Sequence, residues 1–254
     1  MPRIFLPQPF VVGTTVALPA AAARHVQVLR LQPGQTITLF NGVDGCDWPA
    51  EIVRIGRNAV EVRIGGSRAV DRELACEVTL ALGVPANDRM DALVEKAGEL
   101  GATAIQPLVC ERSVVRLVGE RAEAKRRHWQ GVAAAASEQC GRARVTEILP
   151  LRTLASWLDV DRGGPEQRRV VLSLAPSALA PAQAFGAGDG AVACFQALVL
   201  SGPEGGLTVA EEAAACRAGF TPVGLGLRTL RADTAPLALL AWIAVGAVAS
   251  RRSD

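Results

Sequence analysis

Hydrophobic and polar positions follow three different rhythms along this chain. In residues 1–72 they alternate in short stretches. Val60, Val62 and Ile64 stand against Glu61 and Arg63, the period of two that marks a strand with one buried face. Thr36–Phe40 and Trp48–Ile55 also read as strands, with Asn41-Gly42 and Arg57-Asn58 at the turns. One short helix is predicted over Ala20–Leu31, stopped by Pro33-Gly34. Several short strands with turn signals between them predict a small β-barrel.

From about residue 74 the rhythm changes. Solid apolar runs of strand length alternate with stretches of helical period. Glu77–Val84, Ala104–Cys110, Val145–Leu149, Val170–Leu174 and Ala197–Leu200 read as strands. Between the first two, Met90, Leu93, Val94, Ala97 and Leu100 share one helical face, with Asn87 or Asp88 as cap and Gly101 as stop. Strand, helix and strand at this spacing predict a parallel βαβ unit. A long helix follows, apolar along Trp129, Val132, Ala133, Ala136 and Cys140 and ending at Gly141. Thr153–Leu158 predicts a short helix, Asp161–Arg168 a polar loop, and Ala178–Gly190 a loop or frayed helix. The third rhythm is uniform: Leu237–Ala249 holds only apolar residues and Gly. That run is too short to span a bilayer and predicts a buried helix.

Two glycine-rich loops connect these elements near the C-terminus. The strand at Leu200 runs into Gly202-Pro203-Glu204-Gly205-Gly206, then into a helix with Thr208 and Glu211 placed as a capping box and Gly219 as stop. A second strand, Pro222–Leu225, opens a loop with Gly224 and Gly226 and the cations Arg228 and Arg231. Asp233 or Thr234 then caps a helix with Pro236 in its first turn. Gly-Pro-Glu-Gly-Gly by itself is also a tight turn. Two loops of this grammar, each ahead of a helix, point to a ligand site at the C-terminal ends of parallel strands. The dinucleotide fingerprint G-x-G-x-x-G is absent, and no Gly-Lys-Ser/Thr makes a phosphate loop.

At 254 residues the chain accommodates one large or two modest domains, and a fifth of it is charged, as in an ordinary soluble globular protein. Net charge is only +2, so it is not a bulk polycation. Residues 1–72 nevertheless hold eight arginines against five acids. A second basic group, Arg112, Arg116, Arg121, Lys125, Arg126 and Arg127, faces Glu111, Glu120 and Glu123 and makes a candidate RNA-backbone patch. The six cysteines form no C-x-x-C, and His25 and His128 lie far apart. Neither a metal site nor a disulfide framework is indicated, and the cysteines read mostly as buried apolar residues. The first ten residues lack the apolar core of a signal peptide, which gives the expectation of a cytoplasmic protein with no membrane partner.

The motif Gly202-Pro203-Glu204-Gly205-Gly206, followed by Leu225-Gly226-Leu227-Arg228-Thr229-Leu230-Arg231-Ala232-Asp233-Thr234-Ala235, resembles the RsmE family of small-subunit ribosomal RNA methyltransferases, in the SPOUT superfamily. His25–Gly34 and Ser137–Arg142 fit the same family in the expected order. The resemblance implies an α/β fold: a SPOUT-type parallel sheet with a C-terminal trefoil knot over residues 73–254, preceded by a PUA-like RNA-binding β-barrel over 1–72. It implies S-adenosylmethionine as cofactor and methylation of N3 of a uridine in 16S ribosomal RNA. The cofactor residues it suggests are Leu200, Gly202, Pro203, Glu204, Gly205, Gly206, Leu225, Gly226, Leu230, Thr234 and Ala235. Arg231 is the catalytic candidate. Arg3, Arg24, Arg30, Arg112, Arg116, Arg142 and Arg228 are the RNA candidates, and Glu138, Gln139 and Arg142 are placed near the active site. Ribosomal RNA or the small subunit is the partner, and a homodimer through the knotted domain is implied. The chain departs from the family pattern at Ala232, Asp233 and Leu227, where Thr, Glu and Pro are usual. The rival class, a non-catalytic RNA-binding or assembly protein, leaves both glycine loops idle. An NAD enzyme lacks its fingerprint.

Overall fold

The computed structural model describes residues 1–251 except 58, 87–88, 116, 161–163, 165–166 and 187–195. The chain divides into two units, Met1–Glu73 with Ser137–Val145, and Leu74–Ala136 with Thr146–Asp254.

In the first unit the alternating segments pair as their period requires. The elements are β1 (Arg3–Phe5), β2 (Thr15–Ala17), α1 (Ala20–Val28), β3 (Thr36–Phe40), β4 (Cys46–Ile55), β5 (Val60–Ile64) and β6 (Arg68–Ala69). They form one sheet in the order β1-β3-β4-β5-β2, with β6 on β4; β1 and β3 are parallel and the other pairs antiparallel. Val60, Val62 and Ile64 turn inward onto Ile37, Leu39 and Ile52, and Ala23 and Val26 of α1 join them. β1, β2 and β6 were not predicted. They are two or three residues long, too short for a periodic signal, and the register of a neighbour creates them. Helix α1 stops at Val28, three residues before the predicted end, because Arg30 takes a left-handed φ of 55° while its N–H closes onto the Gln27 carbonyl.

The segment Ser137–Val145, read from sequence as part of the second domain and as a neighbour of the active site, is knitted into this unit. Glu138 accepts from the Phe5 N–H of β1 at 2.8 Å. Arg142 has a side chain only 5% exposed and forks onto Glu73, with contacts of 2.5 and 3.0 Å. Arg3 pairs with Asp47 at 2.5 Å, donates to the Arg142 carbonyl at 3.0 Å and lies over the Phe40 ring. Arg3 and Arg142 are therefore internal struts, not RNA-facing charges.

The second unit contains β7 (Glu77–Gly83), α2 (Arg89–Glu99), β8 (Ala104–Val109), α3 (Gly119–Cys140, whose last turn belongs to the first unit), β9 (Glu147–Ile148), β10 (Arg152–Thr153), α4 (Leu154–Val160), β11 (Gln167–Leu172), α5 (Pro181–Phe185), β12 (Gln196–Ser201), α6 (Val209–Arg217), β13 (Thr221–Val223) and α7 (Thr234–Arg251). The sheet runs β10-β8-β7-β12-β11-β13, with β9 on β8, and every pair is parallel. Its central strands are buried on both faces, which explains their unbroken apolar runs. Leu198 and Leu200 pack with Trp157 of α4, Ala215 of α6 and Phe220. α7 packs on β12 and α2. β11 starts inside the predicted polar loop: pairing with Gln196 and Ala197 of β12 overrides the local polarity of Gln167 and Arg168. The predicted Asn87 or Asp88 cap of α2 lies outside the described residues.

The cysteine expectation changes. Cys76 is disulfide-bonded, whereas Cys46, Cys110, Cys140 and Cys216 are free, and of these only Cys110 is buried. Among the described residues no group of His, Cys, Asp or Glu is placed to hold a metal, and no helix is long and apolar enough to cross a membrane.

Removing Arg142 leaves the Glu73 carboxylate without its fork. Arg142→Ala is expected to destabilise the protein by about 3 kcal/mol in urea unfolding; a change within about 0.5 kcal/mol contradicts the strut role.

Candidate active site

The first glycine loop sits on the end of β7 because nothing separates the two backbones. Register pairs Leu82 with Ser201, which brings Gly83 beside Gly202 and Pro203. A Cβ at Gly83 would stand 2.5 Å from both N and Cδ of Pro203. The loop then folds on itself: a Cβ at Gly202 would meet the Leu207 nitrogen at 2.7 Å, and Gly206, at φ 69°, donates back to the Pro203 carbonyl at 2.8 Å. Two side chains brace it from outside. Arg112 donates to the Gly205 carbonyl at 2.9 Å. Glu204 accepts from the Ala86 N–H at 2.9 Å and pairs with Arg89 at 3.4 Å.

The helix behind the loop starts where the sequence predicts. Thr208 Oγ1 accepts from Glu211 N at 3.2 Å, and Glu211 returns the bond to Thr208 N at 2.8 Å. The second Glu211 oxygen accepts from Glu111 N at 2.8 Å, so this buried carboxylate also ties α6 to the chain leaving β8. Burial and the nearby Glu211 charge push the Cys110 thiol up to about 12, which removes it as a nucleophile at neutral pH.

Beyond the C-terminal ends of β11, β12 and β13 lies a cavity of about 600 Å³. Its wall takes Leu172, Ser173 and Leu174 from β11 and its continuation, Ser201 and the whole Gly202–Leu207 loop, Val223 and Leu225, Arg228–Ala232, Ala235, and also Arg89, Arg112 and Glu212. Of the cofactor residues suggested by sequence, Gly202, Pro203, Glu204, Gly205, Gly206, Leu225, Leu230 and Ala235 are brought together there. Leu200, Gly226 and Thr234 are not in the wall. Leu200 is fully buried with Ala215 and Phe220, because strand alternation turns its side chain under the sheet. Gly226, at φ 94°, turns the loop, and Thr234 opens α7 with its N–H on the Arg231 carbonyl.

Arg231 and Arg228 both line the cavity, and among the described residues neither forms an ion pair. Its other two cations are engaged, Arg89 with Glu204 and Arg112 with loop carbonyls. Of the remaining RNA candidates, Arg24 and Arg30 are exposed and Arg116 lies outside the described residues. Sequence reasoning missed Arg89, Ser173 and Glu212. Glu212 was hidden beside the capping Glu211. Ser173 lies inside the predicted strand Val170–Leu174, where it reads as one polar position in an apolar run.

A wholly parallel sheet with a glycine-walled cavity past the ends of three adjacent strands, in a chain that also carries a small β unit, defines an α/β protein with a small-molecule site. The family model described as an RNA methyltransferase domain matches residues 72–244, and that described as an RNA methyltransferase PUA domain matches residues 18–65. The chain belongs to this RNA methyltransferase family. It is 32% identical over 219 residues to the ribosomal RNA small subunit methyltransferase E of Bacillus subtilis, covering 86% of this chain and 84% of that one. The crystal structure of the ribosomal RNA small subunit methyltransferase E of Neisseria gonorrhoeae bound to S-adenosyl methionine superposes with a TM-score of 0.84, at 36% identity over 95% of each chain. A Legionella pneumophila protein solved in complex with SAM gives a TM-score of 0.84 at 29% identity, over 98% of this chain and 97% of that one.

Because the Cys110 thiol stays protonated until well above neutral pH, iodoacetamide at pH 8 is expected to label the exposed Cys216 and to spare Cys110 in the folded protein. Peptide mass mapping checks this; equal labelling of both contradicts the buried, charge-raised state.

Proposed function

We propose that this chain methylates N3 of a uridine in small-subunit (16S) ribosomal RNA, using S-adenosylmethionine bound in the cavity beyond β11, β12 and β13. The observation that carries this reading is the glycine-walled cavity with two arginines, Arg228 and Arg231, that form no ion pair among the described residues, in a chain of the RNA methyltransferase family. The residues fit the cofactor. A volume of about 600 Å³ suits a ligand of this size. At Gly206, in the cavity wall, the space where a Cβ would stand is open, so a ligand can reach the backbone.

When bound, S-adenosylmethionine supplies an electrophilic methyl group on a sulfonium. The chain's own part is positioning and charge. Backbone groups of Gly202–Leu207 and Leu225–Leu230 hold the adenosine without bulk, and Leu172, Leu174, Leu207 and Val223 keep water from it. N3 of uridine becomes a nucleophile only when its proton leaves, which puts negative charge on the pyrimidine. Arg231, unpaired in the wall, stabilises that charge; Arg228 meets phosphate. Arg24 and Arg30 extend the RNA contact on the first unit. The same reading makes the protein a cytoplasmic homodimer, with the chain after β13 threaded as the family's trefoil knot. The apolar α7, with Val245 at 74% exposure, supports a pairing surface there.

The test is tritiated methyl transfer to small subunits from a strain lacking the modification, with nucleoside analysis of the product. Arg231→Ala is expected to lower single-turnover methylation roughly a hundred- to a thousandfold, while calorimetric affinity for S-adenosylmethionine and melting temperature stay near the parent's. Near-normal turnover refutes the catalytic role.

Replacing Arg24 and Arg30 together by Glu is expected to weaken RNA binding at every sequence and to flatten the dependence of log K on log salt by about one to two. An unchanged slope places the RNA path elsewhere.

A further inference from the structure

Two adjacent glutamates open α6, and only one of them has a structural use. Glu211 spends both oxygens on the Thr208 and Glu111 N–H groups. Glu212 lines the cavity, and the single polar partner of its carboxylate among the described residues is the Ser173 hydroxyl, which donates to Oε1 at 2.5 Å. Ser173 is 8% exposed, and its Oγ accepts from the Ala175 N–H at 3.0 Å. That bond fixes the oxygen and leaves the hydroxyl proton for Glu212, so the carboxylate is held in one orientation by a buried group. Oε2 has no donor among the described residues.

No cation of the cavity neutralises Glu212. Arg89 is on Glu204, Arg112 is on the Gly205 carbonyl, and among the described residues Arg228 and Arg231 form no ion pair. The cavity wall also includes Leu172, Leu174, Leu207 and Val223. A half-buried carboxylate in a partly apolar wall loses hydration and recovers it only from donors that enter the cavity. The ligand proposed for this cavity offers such donors in its ribose hydroxyls and in its ammonium group.

We propose that Glu212, oriented by Ser173, accepts hydrogen bonds from the ribose hydroxyls of the bound adenosine moiety. This rests on the reading of the cavity as the S-adenosylmethionine site. A vicinal diol presents two hydroxyl donors that a carboxylate accepts with both oxygens or with one.

The experiment is calorimetry on the full chain with three probes: S-adenosylmethionine, 5′-methylthioadenosine, which keeps the ribose but has no amino-acid part, and the 2′-deoxy form of the latter. Glu212→Ala is expected to weaken the first two alike, on the order of ten- to a hundredfold. It is expected to weaken the deoxy probe much less, since that probe has already lost one of the hydroxyls. Ser173→Ala is expected to weaken the first two by a smaller factor in the same pattern, and it serves as the test if Glu212→Ala does not melt cooperatively. Unchanged affinity in both variants overturns the proposal. Loss for S-adenosylmethionine alone moves the carboxylate to the ammonium or sulfonium and overturns the ribose assignment. Equal loss for the deoxy probe moves it to the base, with the same consequence. Failure of the native protein to bind either of the first two probes overturns the cofactor reading itself, a result distinct from all of these.

Discussion

The seating of Pro203 on Gly83 is the constraint on which the catalytic unit depends. Two neighbouring parallel strands end level with each other, and at that level one of them carries no side chain. Any Cβ there would meet the Pro203 ring and nitrogen at 2.5 Å and lift the loop off the sheet. With the loop down, Gly205 comes within reach of Arg112 and Glu204 reaches the Ala86 N–H. The helix that follows is then aimed so that Glu211 bonds the chain leaving β8. Local turn chemistry alone specifies none of these contacts; each requires the close approach of β12 to β7.

Polar side chains in this unit divide by whether their bonding is complete. Glu211, Gln106 and Thr146 are buried and bonded to backbone, which is what burial in a low-dielectric interior demands. Around the cavity the pattern differs. Arg228 and Arg231 have no ion pair among the described residues, and Glu212 has one hydroxyl. Charge left uncompensated at a concave surface is the arrangement that a ligand with its own charges and donors completes, and it is where electrostatic stabilisation of a reacting base is strongest. The cavity therefore separates bracing groups, which fix the loop, from receiving groups, which face what enters.

The first unit shows the same economy with a different outcome. Arg3, Arg142, Glu73, Asp47 and Glu138 form a network that secures the short parallel strand β1 and the segment after α3. Strand β1 is three residues long and has little apolar area of its own, so its placement depends on these bonds and on its pairing with β3. Arginine forks onto carboxylates give such a strand directional anchorage that apolar contact does not.

Much was legible in the residues alone. The period of two in Val60–Ile64, the solid apolar strands, the Thr208–Glu211 cap and both glycine loops stand in the chain as they stand in the fold, because each depends on neighbours within a few positions. The family likeness of the two loops also brought eight of eleven cofactor candidates to the cavity wall. What the residues could not reveal depended on partners far along the chain. Nothing local separates Arg142, spent on Glu73, from Arg231, left open in the cavity, since each is an arginine followed by alanine in a loop between elements. Glu212 differs from Glu211 only by one helical position, about 100° of rotation, which turns one into a cap and the other into the cavity. Leu200 sits in the motif yet faces the core, because strand pairing sets which side of the sheet it takes. Sequence determined the elements and the chemistry on offer; tertiary structure decided which charges were already satisfied, because ion pairs and hydrogen bonds form between residues that only folding brings within 3 Å.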